Sequence, residues 1–317
     1  MILNYKTSTV EIKIEEGILK NLNNFLDKSA KYFLLSDENV YSLYKEHFKS
    51  FNYKYIITPG EDSKIIDNAL LIIEELLKNN FSRFDYIIAF GGGVVGDLAG
   101  FVASIYKRGI NYISIPTSLI AQVDSAFGGK VGVDFKGYKN QIGSIYHPKL
   151  ILVDPELIKT LPEIELISGM GEIIKYAALF DIKMFESLEN KNYKYMDLIK
   201  RSIEIKTKIT LEDEYDRGIR NLLNFGHTIG HAIEAKYKYL HGIAIGYGMY
   251  LESKNERLKK LLESFGFDFN KNFSNLQSYI LKDKKIKNNK IKVIKLDEIG
   301  NGYLEEVDIN EYLQRKS

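Results

Sequence analysis

The first half of the chain alternates short apolar runs with longer amphipathic stretches. The apolar runs are KYFLLSD (31–37), YKYIITP (53–59), FDYIIAF (84–90) and YISIPTS (112–118). Each ends at or next to Asp, Pro, Ser or Gly, which is typical of buried strands. The segment IIDNALLIIEELLKNN between the second and third runs has helical periodicity. Strands that alternate with helices in this way predict a mostly parallel sheet covered on both faces.

The pattern changes after about residue 155. ELISGMGEIIKYAALF, YKYMDLIKRSIEIKTKITLEDE and NFGHTIGHAIEAKY all repeat apolar residues at helical spacing. The sequence therefore predicts a Rossmann-like α/β domain with a parallel sheet over residues 1–158. A mainly α-helical domain follows over residues 159–317, with the boundary inside 154–163.

Composition narrows the classes of partner. The chain has 317 residues, 45% of them hydrophobic, and its formal net charge of +2 gives no argument for nucleic acid or for a membrane surface. No apolar run reaches the roughly 18 residues that a membrane span needs, and the start lacks the apolar core of a signal peptide. We therefore expect a cytoplasmic protein. Since there is no cysteine, a metal would have to bind His, Asp or Glu.

A glycine loop, GGGVVGD, joins the third apolar run to a helix. We expect Gly91, Gly92 and Gly93 to let the backbone approach a ligand and to adopt positive φ where needed. The helix should begin near Gly96–Asp97, where its free N–H groups would suit a pyrophosphate. The spacing also matches the dinucleotide pattern G-x-G-x-x-G, but the loop does not follow the first strand. A strand–helix turn without a ligand is the alternative.

A second glycine-rich segment covers residues 114–148. It carries Asp124, Lys130, Lys139 and Asn140 among small residues. We expect an irregular loop, because loops hold polar groups that a core cannot satisfy. Its lysines would suit an anionic substrate. A solvated surface loop is the alternative.

Three of the five histidines lie in NFGHTIGHAIEAKYKYLHG. His227 and His231 are four residues apart and share a helix face, so spacing alone nominates them as a metal pair. Glu172 or His241 would complete the set. Ordinary helix histidines are the alternative, and Glu172 with Lys175 has the spacing of a surface salt bridge.

Several long blocks follow one another in a fixed order. They are GGGVVGDLAGFVASIYKRGI, IPTSLIAQVDSAFGGKVGVDFKGYKNQIGSIYHP, DPELIKTLP, GMGEIIKYAAL, RGIRNLLNFGHTIGHAIEA and LHG. Over about residues 30 to 300 the chain resembles the 3-dehydroquinate synthases, which are sugar-phosphate cyclases. The resemblance implies an NAD- and zinc-dependent (or cobalt-dependent) homodimer of the shikimate pathway. It would convert 3-deoxy-D-arabino-heptulosonate 7-phosphate to 3-dehydroquinate and phosphate.

The implied reaction consists of oxidation by NAD, phosphate elimination, reduction, ring opening and aldol closure. Another sugar-phosphate cyclase is the first alternative, a metal-dependent polyol dehydrogenase the second, and a non-catalytic NAD-binding protein the third. Lys206 and Arg220, a plausible carboxylate pair, favour a substrate that carries a carboxylate.

The resemblance also assigns roles by motif position. The implied metal ligands are Glu172, His227 and His241, while His231 would contact the substrate phosphate. The other implied substrate contacts are Asp124, Lys130, Asn140, Lys175, Lys206, Arg220, Asn224 and Lys284. Arg108 would reach the phosphate site of a neighbouring subunit, which is what implies a homodimer. The implied NAD contacts are Asp37, Glu61, Lys64, Gly92, Gly93, Asp97, Thr117, Ser118, Lys139 and Thr160.

Overall fold

A computed structural model describes residues 1–281 and 289–314. These residues form two compact units. Unit 1 holds Met1–Leu161 and Lys206–Tyr215, and unit 2 holds Pro162–Ile205 and the described residues from Asp216 onward. The predicted division at 158/159 had assigned Lys206–Tyr215 to the second domain, whereas here this segment groups with unit 1.

Unit 1 is built on one sheet. Its strands and helices are β1 (Ile2–Asn4), β2 (Thr9–Ile14), β3 (Tyr32–Asp37), α1 (Glu38–Tyr44), β4 (Tyr53–Ile57), α2 (Ile66–Lys78), β5 (Tyr86–Gly91), α3 (Gly93–Ile105), β6 (Asn111–Pro116), β7 (Lys130–Phe135), β8 (Tyr138–Ile145) and β9 (Leu150–Val153). The sheet has the strand order β1-β2-β9-β6-β5-β3-β4, and only the β1–β2 pair in it is antiparallel within the described residues.

The central strands are buried on both faces, as their continuous apolar runs predict. Phe33 and Leu35 of β3 point into one core cluster, and Leu34 between them points into the other. The predicted α/β fold class is therefore confirmed. β7 and β8 form a separate antiparallel hairpin, which corrects the expectation of an irregular loop. The alternation in KVGVDF explains it, because every second residue is apolar.

Unit 2 is mainly helical. Its elements are α4 (Glu163–Phe180), α5 (Ile182–Glu189), α6 (Tyr195–Glu212, whose residues from Lys206 group with unit 1), α7 (His227–Tyr237), α8 (His241–Ser253), α9 (Glu256–Ser264), α10 (Gln277–Ile280), β10 (Lys290–Glu298), β11 (Asn301–Asp308) and α11 (Ile309–Gln314). Helix α8 packs against α7 and α4 and is buried from Gly242 to Met249. Across residues 1–281 and 289–314, no helix is long and apolar enough to cross a membrane.

Candidate active site

Glu172 is a fully buried carboxylate in the middle of α4. The ammonium group of Lys175, one helical turn further on, forms an ion pair with its Oε2 atom. Among the described residues, however, neither carboxylate oxygen has a hydrogen bond of ordinary geometry. Lys175 compensates the charge of Glu172, but buried carboxylate oxygens without hydrogen-bond partners are still costly. This environment therefore favours a further positive group beside Glu172.

Two histidine rings face Glu172. The Nε2 atom of His241 lies 3.7 Å from Glu172 Oε1, and that of His227 lies 4.0 Å from the same oxygen. The Nδ1 atom of His227 lies 3.1 Å from the carbonyl oxygen of Phe225, and that of His241 lies 3.0 Å from Glu234 Oε2. Since these oxygens are acceptors, each Nδ1–H donates, so in the neutral form of each ring Nε2 carries the lone pair.

Glu234 also affects the charge of its partner ring. Burial lowers the pKa of His241, but the hydrogen bond to Glu234 and the charges of Glu234 and Glu172 outweigh it, so the pKa is raised. A ring held in this way by a carboxylate is a stronger electron-pair donor. His241 therefore has the environment that proteins commonly give to a metal-binding histidine.

Each of the three side chains has a glycine as its chain neighbour, and each glycine lies at a backbone contact between helices. A Cβ on Gly171 would lie 2.1 Å from the carbonyl oxygen of Gly242, and a Cβ on Gly242 would lie 1.8 Å from that of Ser168. A Cβ on Gly226 would lie 2.6 Å from the backbone nitrogen of Met249. Only glycine permits these approaches, which bring α4, α7 and α8 together beside Glu172, His227 and His241.

The geometry fits a divalent metal. Ligand atoms about 2.0–2.2 Å from a tetrahedral zinc lie about 3.3–3.6 Å from one another, close to the observed 3.7 and 4.0 Å. His231 also lies nearby, because nitrogen atoms of His227, His231 and His241 are all within 4.8 Å of one another. His231 is exposed, however, and the buried Glu172 is the group that needs a cation. We therefore keep Glu172, His227 and His241 as the proposed ligands.

Several residues that the sequence nominated for NAD form a charged cluster in unit 1. The ammonium group of Lys64 lies 2.8 Å from Glu61 Oε1 and 3.4 Å from Asp97 Oδ2. Lys139 lies 3.7 Å from the same Glu61 oxygen. Burial raises the pKa of Asp97 to about 6, although the charge of Lys64 opposes this. Burial lowers the pKa of Lys64, but the negative charges of Asp97 and Glu61 outweigh burial, so the pKa is raised.

The glycine loop lies beside this cluster, and its structure corrects two expectations. Helix α3 begins at Gly93 rather than near Gly96–Asp97, because Gly92 already serves as its N-cap. Gly91, Gly92 and Gly93 all lie outside the positive-φ region. A Cβ on Gly91 would lie 2.5 Å from Val95, so this glycine is needed for packing. No side chain caps α3 within the described residues, which leaves its first N–H groups suited to a phosphate.

The remaining nominated residues are distributed over both units. Lys206 is buried, and its ammonium group lies 2.8 Å from Asp124 Oδ1. The Asp37 side chain caps α1 by accepting a hydrogen bond from the N–H group of Val40. The Thr160 hydroxyl lies 2.9 Å from the hydroxyl of Tyr44, the last residue of α1. The exposed members are Lys130, Asn140 and Arg108, the buried ones are Thr117, Ser118 and Arg220, and Asn224 is half-buried. Lys284 lies outside the described residues.

Comparison with known proteins places this chain in a family. The models of the N-terminal and C-terminal parts of 3-dehydroquinate synthase match residues 54–168 and 169–286. The 3-dehydroquinate synthase of Dictyoglomus thermophilum is 41% identical over 338 residues, covering 98% of this chain and 94% of the relative. The chain belongs to the 3-dehydroquinate synthase family. The family and enzyme class predicted from the sequence are therefore confirmed.

Solved structures show the fold of the 3-dehydroquinate synthase family in related cyclases. A 2-deoxy-scyllo-inosose synthase complexed with carbaglucose-6-phosphate, NAD+ and Co2+ has a TM-score of 0.86 at 23% identity, covering 100% of this chain and 98% of its own. ValA, a 2-epi-5-epi-valiolone synthase from Streptomyces hygroscopicus with NAD+ and Zn2+ bound, has a TM-score of 0.88 at 22% identity. That match covers 99% of this chain and 98% of ValA.

Glu234 is a residue of the site that was not predicted from the sequence. It lies seven residues after His227 and seven before His241, and its carboxylate holds His241 Nδ1. Its position on the same face of α7 as His227 was a usable signal, because residues seven apart share a helix face. The packing roles of Gly171, Gly226 and Gly242 were also missed, since no local pattern shows which helix will lie against them.

Proposed function

We propose that this member of the 3-dehydroquinate synthase family converts 3-deoxy-D-arabino-heptulosonate 7-phosphate to 3-dehydroquinate and phosphate. The carrying observation is the buried Glu172 carboxylate faced by the Nε2 atoms of His227 and His241. A catalytic metal set of two histidines and one carboxylate leaves a position for substrate oxygen.

The proposal includes two cofactors. The 2-deoxy-scyllo-inosose synthase and ValA structures contain NAD+ together with Co2+ and Zn2+, respectively. We assign the metal to Glu172, His227 and His241 in unit 2, and NAD to the glycine loop and the charged cluster around Lys64 in unit 1. When bound, the metal supplies Lewis-acid polarisation of a substrate oxygen, and NAD supplies a reversible hydride acceptor.

The chain's own residues would orient an anionic substrate. Buried Lys206, held 2.8 Å from Asp124, presents a fixed positive charge suited to a carboxylate. Exposed His231 is our candidate for the phosphate, because it can donate a hydrogen bond to a phosphate oxygen beside the metal residues. We also propose the homodimer implied by Arg108, while the cytoplasmic location stays a prediction from the sequence.

Phosphate release without net NADH tests the reaction. The purified chain with NAD and Zn2+ should release phosphate from the heptulosonate phosphate while absorbance at the NADH wavelength stays flat. Net NADH accumulation would instead indicate a polyol dehydrogenase. Turnover of glucose 6-phosphate or sedoheptulose 7-phosphate in place of this substrate would indicate another cyclase. Tight NAD binding without any turnover would indicate a binding protein.

Histidine variants test the site assignment separately. His241→Ala should lose the metal, because Glu172 and His227 alone complete too few ligands. His231→Ala should retain the metal and bind the substrate phosphate more weakly. Metal analysis with the opposite pattern would show that the pair chosen by spacing, His227 with His231, is the correct one.

A further inference from the structure

Glu252, near the end of α8, holds the backbone in front of one proposed metal ligand. Its Oε2 atom accepts a hydrogen bond of 2.9 Å from the N–H group of Gly226. Gly226 has φ 74° and ψ −8° and immediately precedes His227, the first residue of α7. The direction of the His227 side chain depends on this left-handed turn, since a change of φ there would rotate the start of the helix.

The same face of α8 carries both the other metal histidine and Glu252. His241, Ile245, Gly248 and Glu252 follow at spacings of four, three and four residues, which places them along one side of a helix. Between the two ends, Gly248 lies against the Gly226 carbonyl, because a Cβ on Gly248 would be 2.0 Å from that oxygen. One face of α8 thus fixes both the N–H and the C=O group of Gly226.

Glu252 is itself held by the C-terminal helix. The hydroxyl group of Tyr312, a buried residue of α11, donates a hydrogen bond of 3.2 Å to Glu252 Oε1. The carboxylate therefore links Gly226 and Tyr312, which are 86 residues apart, because each of its two oxygens accepts a hydrogen bond from one of them. A charged acceptor makes the stronger class of hydrogen bond, and having both oxygens engaged restricts its rotamer.

We infer that Glu252 is a positioning residue that sets the distance between His227 and His241, and that Tyr312 fixes its orientation. This inference rests on the proposed function, because it presumes the metal at Glu172, His227 and His241. It assigns the C-terminal helix an influence on metal affinity. Glu252 itself contacts Gly226 rather than the metal.

Cobalt binding to the full-length chain tests the inference. Co2+ alone is titrated into the metal-free protein and followed by visible absorption, whose band shape reports ligand geometry. Glu252→Ala should weaken Co2+ binding about 10- to 100-fold, as loss of supporting contacts does at other metal sites, and should alter the bands. Glu252→Gln keeps an acceptor for Gly226 and should recover part of the affinity, and Tyr312→Phe should show a smaller loss than Glu252→Ala.

A matched control is available on the next helix. Glu256 also accepts a hydrogen bond from a tyrosine, Tyr250, at 3.0 Å, but on the exposed surface. Glu256→Gln should bind Co2+ like the wild type. Unchanged affinity and bands in Glu252→Ala, with wild-type binding intact, would overturn the inference and leave the proposed function standing. Failure of the wild type to bind Co2+ would overturn both. If Glu252→Ala does not fold, Glu252→Gln and Tyr312→Phe decide, and wild-type binding by both would overturn the inference.

Discussion

Substitution of Gly242 by alanine tests whether backbone contact between α4 and α8 forms the proposed metal site. The added Cβ would lie 1.8 Å from the Ser168 carbonyl oxygen, whereas ordinary contact begins at about 3.4 Å. Relief therefore requires about 1.6 Å of movement between the two backbones. Ser168 is one turn before Glu172, and Gly242 follows His241, so the movement would directly change the 3.7 Å separation of Glu172 Oε1 and His241 Nε2.

The size of the effect follows from two opposing terms. An alanine in place of a helical glycine contributes up to about 1 kcal/mol of helix stability, and overpacking costs about 1–3 kcal/mol. Because the clash is with backbone atoms, which cannot swing aside, the overpacking cost should lie at the upper end of its range, and we expect Gly242→Ala to be destabilised by about 2 kcal/mol in urea unfolding. Its Co2+ affinity should fall at least about tenfold, because metal sites tolerate only about 0.5 Å of displacement.

A second glycine variant provides the control for this measurement. Gly96 lies within α3, and nothing is within 4 Å of the position of its Cβ. Gly96→Ala should therefore gain up to about 1 kcal/mol and bind Co2+ like the wild type. Wild-type stability together with wild-type Co2+ affinity in Gly242→Ala would refute the reasoning.

Three further predictions concern acidic side chains. Because the pKa of Asp97 is raised to about 6, its contribution to stability is full below about pH 4 and is lost as the pH rises through 6. Relative to Asp97→Asn, the wild type should lose about 2 kcal/mol of unfolding free energy between about pH 4 and about pH 7; parallel pH profiles would contradict this. Glu214→Ala removes the carboxylate that lies 3.1 Å from buried His147 Nε2 and should cost about 1–3 kcal/mol in urea unfolding, whereas Glu156→Ala, at a half-buried surface position, should cost less than about 1 kcal/mol; equal costs would contradict this reasoning. Glu234→Gln removes the negative charge beside His241, a proposed metal ligand, and should lower Co2+ affinity about 10-fold or more; unchanged titration curves would exclude that role.

Local pattern was sufficient for the strands of the sheet but not for the contacts in the site. The apolar runs that end at residues 37, 90 and 118 became β3, β5 and β6 because a strand buried on both faces needs little beyond continuous hydrophobicity. The β7–β8 hairpin was missed because only β7 alternates regularly, whereas β8, YKNQIGSI, is mostly exposed and has no regular apolar alternation. The ion pair of Asp124 with Lys206 joins residues 82 positions apart, and no local period encodes such a pairing.

The histidine motif shows where spacing misleads and where packing decides. Two histidines four residues apart share a helix face, so spacing alone nominates His227 and His231 as the metal pair. Burial separates them: His231 is exposed, whereas Nε2 of His227 faces the Glu172 carboxylate, which is buried and lacks hydrogen bonds among the described residues. His241 reaches the same carboxylate only because Gly242 lets α8 touch the backbone of α4. The glycines beside Glu172, His227 and His241 are therefore as important to the proposed metal site as its proposed ligands are, since a Cβ at any of them would move one of these side chains by more than a metal site tolerates.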